Sequence, residues 1–459
     1  GAWWAYTILG WGGYWAWDPV ENAGLMPWLA LTAFIHSIMV QARRGMFRMW
    51  NVALVNVAFV LASFGMFINR GGPVPSVHSF GASTLGWVFL AFLGAAALGS
   101  FALFFWRYDR LKSDGVLEST FSREAAFLVN NLLLLSIAFV TLWGVLFPLV
   151  SEVVRGQTVT VGAPFYNQVN GPLILGMVFL MGVGPLLPWR RATFRHFLRV
   201  LAVPGGAALA LMAALALAGV RHPYALLSFG VAALVAGAVL EEWARGTRAR
   251  HRKGEAYPLA FARLVAANRP RYGGYIVHLS IVLLALGVTG SAFFGVQHDV
   301  VVPPGGRVQV GGYTLEYLGA TTTRFPDREE QQAQVRAFRG EQELGLLYPR
   351  RTFYPEQRMA ATRAAIRSTP LEDLYVIPSE FLPDGRAVLR VMVNPLVWWM
   401  WAAGPVFLLG TAVALWPRRR PVPATAWSPL ARGTGDPFLA RKGSPATPSQ
   451  RTPFSSRGR

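Results

Sequence analysis

The chain contains no cysteine. That excludes disulfides, thiol chemistry and any thioether attachment of a cofactor to this chain. Charge is also scarce: 14% of the 459 residues are Asp, Glu, Lys or Arg, whereas 53% are hydrophobic. An ordinary soluble protein of this size is excluded, and a polytopic membrane protein is predicted. Acidic residues are the scarcer sign, 23 against 43 basic, for a formal net charge of +20. The excess does not read as a nucleic-acid surface, because the basic residues sit in short clusters between apolar runs and carry no recognition motif.

What is present is a series of apolar stretches, each near the roughly twenty residues that span a bilayer. They fall at about 24–42, 50–69, 85–106, 125–149, 171–189, 198–219, 224–243, 272–294 and 395–416. The basic clusters occupy every second connection: Arg43, Arg44 and Arg48; Arg107 to Arg123; Arg190 to Arg199; and Arg245 to Arg271. By the positive-inside rule those connections are cytoplasmic, and the loops at 70–84 and 150–170 face outward. The reading is an all-α polytopic membrane protein with a small β-rich extracytoplasmic domain. Residues 1–23 form an outward-facing tryptophan-rich segment, 24–294 hold eight spanning helices, 295–394 the β-rich domain and 395–416 the last helix. In the β-rich domain VQVGGYTLEYLGA and GRAVLRVMVNP gather β-formers between Gly and Pro turns. Residues 417–459 read as a basic, disordered cytoplasmic tail. Gly1 lies outside by this topology, with neither an initiator Met nor a signal peptide, so upstream helices are expected to precede it.

The densest feature is WGGYWAWDPVEN, Trp11 to Asn22, with Trp3 and Trp4 just ahead of it. Two readings stand. Trp and Tyr gather at membrane interfaces, yet the ordered string with its glycines reads as an aromatic surface for a flat ligand. Asp18, Pro19 and Glu21 read as N-cap, N1 and N3 of a capping box.

Of seven histidines, His196 and His251 sit among arginines and His222 and His298 at outer helix ends, where solvated side chains are expected. His36 and His278 lie inside spanning segments, where an ionisable side chain is read as functional. His36 is six residues before the cytoplasmic end of its segment and His278 six after the start of its own, about 9 Å inside the same face. Two imidazoles at one depth suit a bis-histidine haem. Thr32 and Ala33, and Gly274 and Tyr275, precede them by about a turn, and the small residues leave room for a macrocycle. Alternatively, each histidine hydrogen-bonds a neighbouring helix. His78, in NRGGPVPSVHSFGAS, is either a solvated loop residue or an outer ligand to an exchangeable haem, since its loop could overhang the aromatic stretch.

WGGYWAWDPVENAGLMPWL resembles the tryptophan-rich signature of the haem-handling WWD family. The later helices, the outer domain and its YPRRTFYPEQ segment resemble the CcmF branch, the large haem lyase subunit of system I cytochrome c maturation, from Gly1 to about Trp416. The resemblance implies that His36 and His278 are axial ligands of a buried haem b and that His78 is one of two outward ligands to substrate haem. The second outward ligand lies upstream of the signature in the family. Trp11, Trp15, Trp17 and Asp18 match the platform over which substrate haem lies. It further implies a cytochrome c haem lyase working in a complex, multi-pass in a bacterial inner membrane with its active face outward. Haem would come from a haem chaperone and be joined to the CxxCH thiols of apocytochrome c, with a CcmH-type lyase subunit as partner and quinol as a source of electrons. No side chain is assigned a catalytic role. One departure is Thr362-Arg363-Ala364-Ala365, where the family pattern has Thr-Glu-Ala-Ala. Arg350, Arg351 and Arg358 read either as a solvated face or as partners for haem propionates or an apocytochrome surface. Two other classes stay open: a haem transporter or exporter, which would show inverted repeats and helices interrupted near the midplane, and a quinol-linked membrane electron carrier without lyase activity.

Overall fold

The computed structural model describes residues 1–76, 78, 84–113, 115–191 and 193–417. The predicted tail, apart from Pro417, and most of the loop beyond His78 lie outside the described residues. Twelve α-helices are described: α1 Ala2–Ile8, α2 Pro19–Arg44, α3 Arg48–Gly71, α4 Leu85–Trp106, α5 Tyr108–Leu111, α6 Arg123–Arg155, α7 Ala163–Val183, α8 Phe194–Leu217, α9 Pro223–His251, α10 Tyr257–Ala267, α11 Arg269–Phe294 and α12 Val397–Leu415. Among the described residues nine are long and apolar enough to cross a membrane, α7 continuing through a 3₁₀ turn to Leu186.

Local chemistry sets the ends of the helix that organises the rest. Asp18 Oδ1 accepts the Val20 N–H at 2.9 Å, and Glu21 Oε2 accepts the Ala16 N–H at 2.9 Å and reaches the Asp18 N–H at 3.4 Å. This is the expected capping box, with Pro19 at the first helical position. Gly45 ends α2 in the left-handed region at φ 67°. From α2 the bundle grows by neighbours, α3 and then α4 on one side, α6, α7 and α9 on the other, with α8 and α11 against α9. The fifth span starts at Ala163, not near 171, and the outer loop before it is correspondingly short. The polar run Tyr166–Asn167–Gln168 hides this start in a hydropathy profile, whereas Pro164 in the first turn marks it.

The closest helix pair is α11 with α12. A Cβ on Gly273 would lie 2.5 Å from the Ala414 backbone nitrogen, and one on Gly410 would lie 2.7 Å from that of Val277. Small residues let backbones approach in a bilayer, where apolar side chains gain nothing by leaving lipid. This contact fixes the helix that carries His278 against the last span.

Between those two helices the chain builds a β-sandwich from β1 Val296–Val302, β2 Arg307–Val310, β3 Tyr313–Arg324, β4 Glu329–Arg339, β5 Gln342–Leu347, β6 Arg350–Tyr354, β7 Met359–Arg363, β8 Ala365–Ser368, β9 Glu372–Phe381 and β10 Ala387–Pro395. One sheet has the order β1-β10-β9-β8 and the other β2-β3-β4-β6-β7, with β5 paired to β4. Every pairing is antiparallel. Alternation decides the faces: Tyr313, Leu315 and Tyr317 of β3 and Leu389, Val391 and Val393 of β10 point into the shared core. The two segments read as β-rich become β2–β3 and β10.

Because the two nearest atoms facing Gly410 are backbone, Gly410→Val should cost about 1–3 kcal/mol by overpacking and lower the melting temperature in detergent. Gly404→Val on the same helix, with nothing within 4 Å of its Cβ, should stay near wild type. Equal melting temperatures for the two variants would refute the close-packing account.

Candidate functional site

At the sandwich end of the bundle, α1 and the loop after it lie between the spans and the β-domain. The Tyr6 hydroxyl donates to Asp373 Oδ2 at 3.0 Å, Asn394 Nδ2 donates to that hydroxyl at 3.2 Å, and the Tyr375 hydroxyl donates to the Tyr6 carbonyl at 2.6 Å. Trp401 of α12 meets Trp3 edge-on, with centroids 4.9 Å apart, and lies 5.4 Å from the ring of Tyr6. The glycines flanking Trp11 serve this packing. Gly10 and Gly12 have φ of 70° and 76° and press on Thr362 of β7 and Met392 of β10.

The tryptophans then part company. Trp17 sits at φ 57°, a strained conformation for a bulky residue. Three contacts hold it there: a stack on Tyr166 at 4.9 Å and 6°, an Nε1 bond to Asn167 Oδ1 at 2.8 Å, and Asn22 Nδ2 donating to its carbonyl at 2.9 Å. Trp15 stands perpendicular to it, with centroids 5.8 Å apart. Trp11 folds back over Gly13, where an added Cβ would strike its ring. The rings therefore do not form one plane. A cavity of about 230 Å³ opens beside Trp4, Tyr14, Trp15, Glu21 and His78. His78 Nδ1 is 3.1 Å from Asp18 Oδ1, the same oxygen that caps α2 and accepts the Ser76 hydroxyl at 2.6 Å. The loop does overhang the motif. With Nδ1–H given to a carboxylate, Nε2 is the nitrogen suited to a metal.

His36 and His278 lie toward the other end, eight residues before Arg44 and nine after Arg269. Both rings are half-buried and close enough to interact electrostatically. His36 Nδ1 is 2.8 Å from the Thr32 carbonyl, a bond within its own helix, and its ring lies 5.8 Å from Phe127 of α6. His278 Nδ1 is buried with no hydrogen-bond partner. The alternative of a bond from each histidine to a neighbouring helix is thus not what these two nitrogens make. Among the described residues no cluster of three or more His, Asp or Glu could hold a bare metal ion.

Elsewhere, Arg350 pairs with Glu330 at 3.0 Å, while Arg358 is exposed in the turn between β6 and β7. Arg363 is exposed on β7, next to the Thr362 that meets Gly10. Sequence reasoning missed Tyr14 and Glu21 as cavity walls, and Tyr166 and Asn167 as supports of Trp17. The polar start of α7 was their only visible trace.

Comparison with known proteins agrees with this architecture. Residues 293–395 match the family model described as CcmF C-terminal beta-sandwich, and residues 1–72 match that described as Cytochrome C assembly protein. The chain is CcmF-like. It is 37% identical to the cytochrome c-type biogenesis protein CcmF of Pseudomonas aeruginosa, over 91% of this chain and 63% of that one. It is 35% identical to the cytochrome c-type biogenesis protein CycK of Rhizobium meliloti, over 93% of this chain and 63% of that one. A solved structure titled Cytochrome c Heme Lyase CcmF superposes with a TM-score of 0.73 at 32% identity, covering 91% of this chain and 63% of that one. The chain thus spans somewhat under two thirds of the length of the relatives it matches.

Burial holds the Asp373 carboxyl above the usual carboxylate range. The folded state therefore binds this proton more tightly than the unfolded chain. The stabilisation is complete below the unfolded carboxylate pKa and is lost as pH rises through the folded value. Asp373→Asn should remove that slope from the melting temperature measured against pH, and an unchanged slope would assign it to other groups.

Proposed function

We propose that this chain handles haem in cytochrome c maturation, as the haem-attaching part of a complex in a bacterial inner membrane with the sandwich end outward. The observation that carries this reading is His78 in the wall of the aromatic cavity, fixed through Nδ1 to Asp18. At about 230 Å³ the cavity is smaller than the roughly 300–1,000 Å³ usual for an enclosed ligand. It suits one edge of a macrocycle whose other edge stays open to an incoming protein.

Substrate haem arrives from a haem chaperone, rests against Trp4 and Trp15, and takes His78 Nε2 on its iron. Trp17 and Trp11 shape the loop from behind, and Asp18 keeps the imidazole oriented. A CcmH-type subunit brings the apocytochrome c. Each cysteine of its CxxCH segment then adds S–H across a haem vinyl group, sulfur to one carbon and hydrogen to the other, leaving two thioethers. Holding vinyl and thiol together is the chain's contribution.

A second, resident b-type haem fits between His36 and His278. A buried imidazole nitrogen without a partner costs about 1–3 kcal/mol, and His278 Nδ1 is such an atom. His36 has Nδ1 committed to Thr32, which leaves Nε2 for ligation. When bound, this haem supplies one-electron transfer, drawing on quinol to keep substrate iron ferrous. Phe127 and Tyr275 flank the two rings. The transporter reading gains no support, since among the described residues the nine candidate spans run as continuous helices.

Reduced-minus-oxidised and pyridine haemochrome spectra of the purified protein test both sites. Wild type should carry a b-type haem that His36→Ala or His278→Ala abolishes and His78→Ala leaves in place. Added haem should give a second haem spectrum that only His78→Ala loses. Haem missing from wild type, or surviving both intramembrane substitutions, would sink the proposal.

A further inference from the structure

Two arginines at the end of the bundle opposite the sandwich have no carboxylate within salt-bridge distance among the described residues. Arg43 of α2 lies over the Trp189 ring, 5.4 Å from its centroid. Arg123, at the start of α6, covers the same ring at 5.3 Å and gives Nε to the Leu187 carbonyl at 3.0 Å and Nη2 to the Pro185 carbonyl at 2.6 Å. Carbonyls hold a guanidinium in place without neutralising it. The carboxylates nearby go to other cations: Glu118 and Glu124 to Arg44 at 2.7 and 2.9 Å, and Glu242 to Arg271 at 2.6 Å. Topology alone explains basic residues at this end. It does not explain two unneutralised guanidiniums gathered on one indole.

Their position relative to the histidines is specific. Arg43 follows His36 by seven residues, and Arg271 precedes His278 by seven. Seven residues are close to two helical turns, so each arginine lies on its histidine's face, about 10.5 Å nearer the same end. Phe127 connects the levels, 5.8 Å from the ring of His36 and 6.1 Å from that of Trp189. Arg123 is within electrostatic reach of Arg43, Arg271, Tyr275 and Glu242, the last already paired to Arg271, and so lies between the two histidine-bearing helices. Arg271 adds a third cation, tied to the Tyr275 hydroxyl at 3.0 Å and half-answered by Glu242.

We propose that Arg43 and Arg123, braced on Trp189, form an anion site that takes the carboxylates on one edge of the macrocycle ligated by His36 and His278. It rests on the bis-histidine reading above. A guanidinium can meet a carboxylate through two parallel N–H donors, which gives orientation as well as charge. Positive charge on that edge favours the reduced iron, so these residues tune the potential of the buried haem. The phosphate of an anionic lipid offers the same oxygens, and the test separates the two sources.

The full chain is purified as wild type, Arg43→Gln, Arg123→Gln, the double variant and Arg199→Gln, the last an arginine of another basic connection. Haem per chain, the midpoint potential and co-purified lipid phosphate are measured. The double variant should shift the reduction equilibrium about tenfold toward the ferric form, about 59 mV for a one-electron couple. Its lipid phosphate should be unchanged, and Arg199→Gln should match wild type. If the double variant aggregates, Arg43→Gln alone decides, because Arg43 is exposed; it should move the potential in the same direction. A histidine-dependent haem whose potential ignores both arginines overturns this inference alone, whether or not lipid phosphate is lost. A wild type without haem, or haem that survives His36→Ala and His278→Ala, overturns it together with the reading beneath it.

Discussion

One carboxylate oxygen, Asp18 Oδ1, joins a helix start to a loop some sixty residues away. It caps the first spanning helix through Val20, receives the Ser76 hydroxyl and lies against His78 Nδ1. Removing it would free a helix start and an imidazole together. A cap of this kind is worth about 0.5–2 kcal/mol, and here the same atom sets which imidazole nitrogen faces the cavity. The tryptophan motif is therefore a joint between the helix it starts and the loop above it. Its acidic end holds the loop above it, and its glycines let the backbone press against the β-domain.

The β-sandwich takes part in building the site. It closes on α1 through Tyr6, Asp373 and Asn394, and it hangs between α11 and α12, the two helices in closest contact. Glycines at that helix contact set where α11 runs, and α11 carries His278. A single chain of contacts thus runs from the aromatic cavity, through the sandwich, to the helix that carries His278. Arg363 falls on this route, exposed on the strand that meets Gly10.

Much of the frame was legible without coordinates. Nine apolar stretches correspond to the nine helices among the described residues that are long and apolar enough to span, because burial in lipid demands length and apolarity that short-range composition records directly. The capping box was legible too, since its three residues are neighbours in sequence. The start of α7 was hidden because Tyr166, Asn167 and Asn170 make a helix end look like a loop to any hydropathy average. Their polarity has a use that is invisible locally, which is to hold Trp17 and to bond Thr141 of α6.

The sequence by itself determined the membrane class, the place of His36 and His278 within long apolar helices and the β-rich insertion, because each depends on periodicity, hydropathy or spacing within one segment. Only the tertiary structure decided which rings face one another. It stood Trp15 perpendicular to Trp17, turned Trp11 back on Gly13, and brought His78 to Asp18 from sixty residues away. It also gathered Arg43 and Arg123 on Trp189. The physical reason is common to all of these. Orientation of a side chain against a distant partner is fixed by packing and hydrogen bonds between segments, and no property of either segment alone contains it.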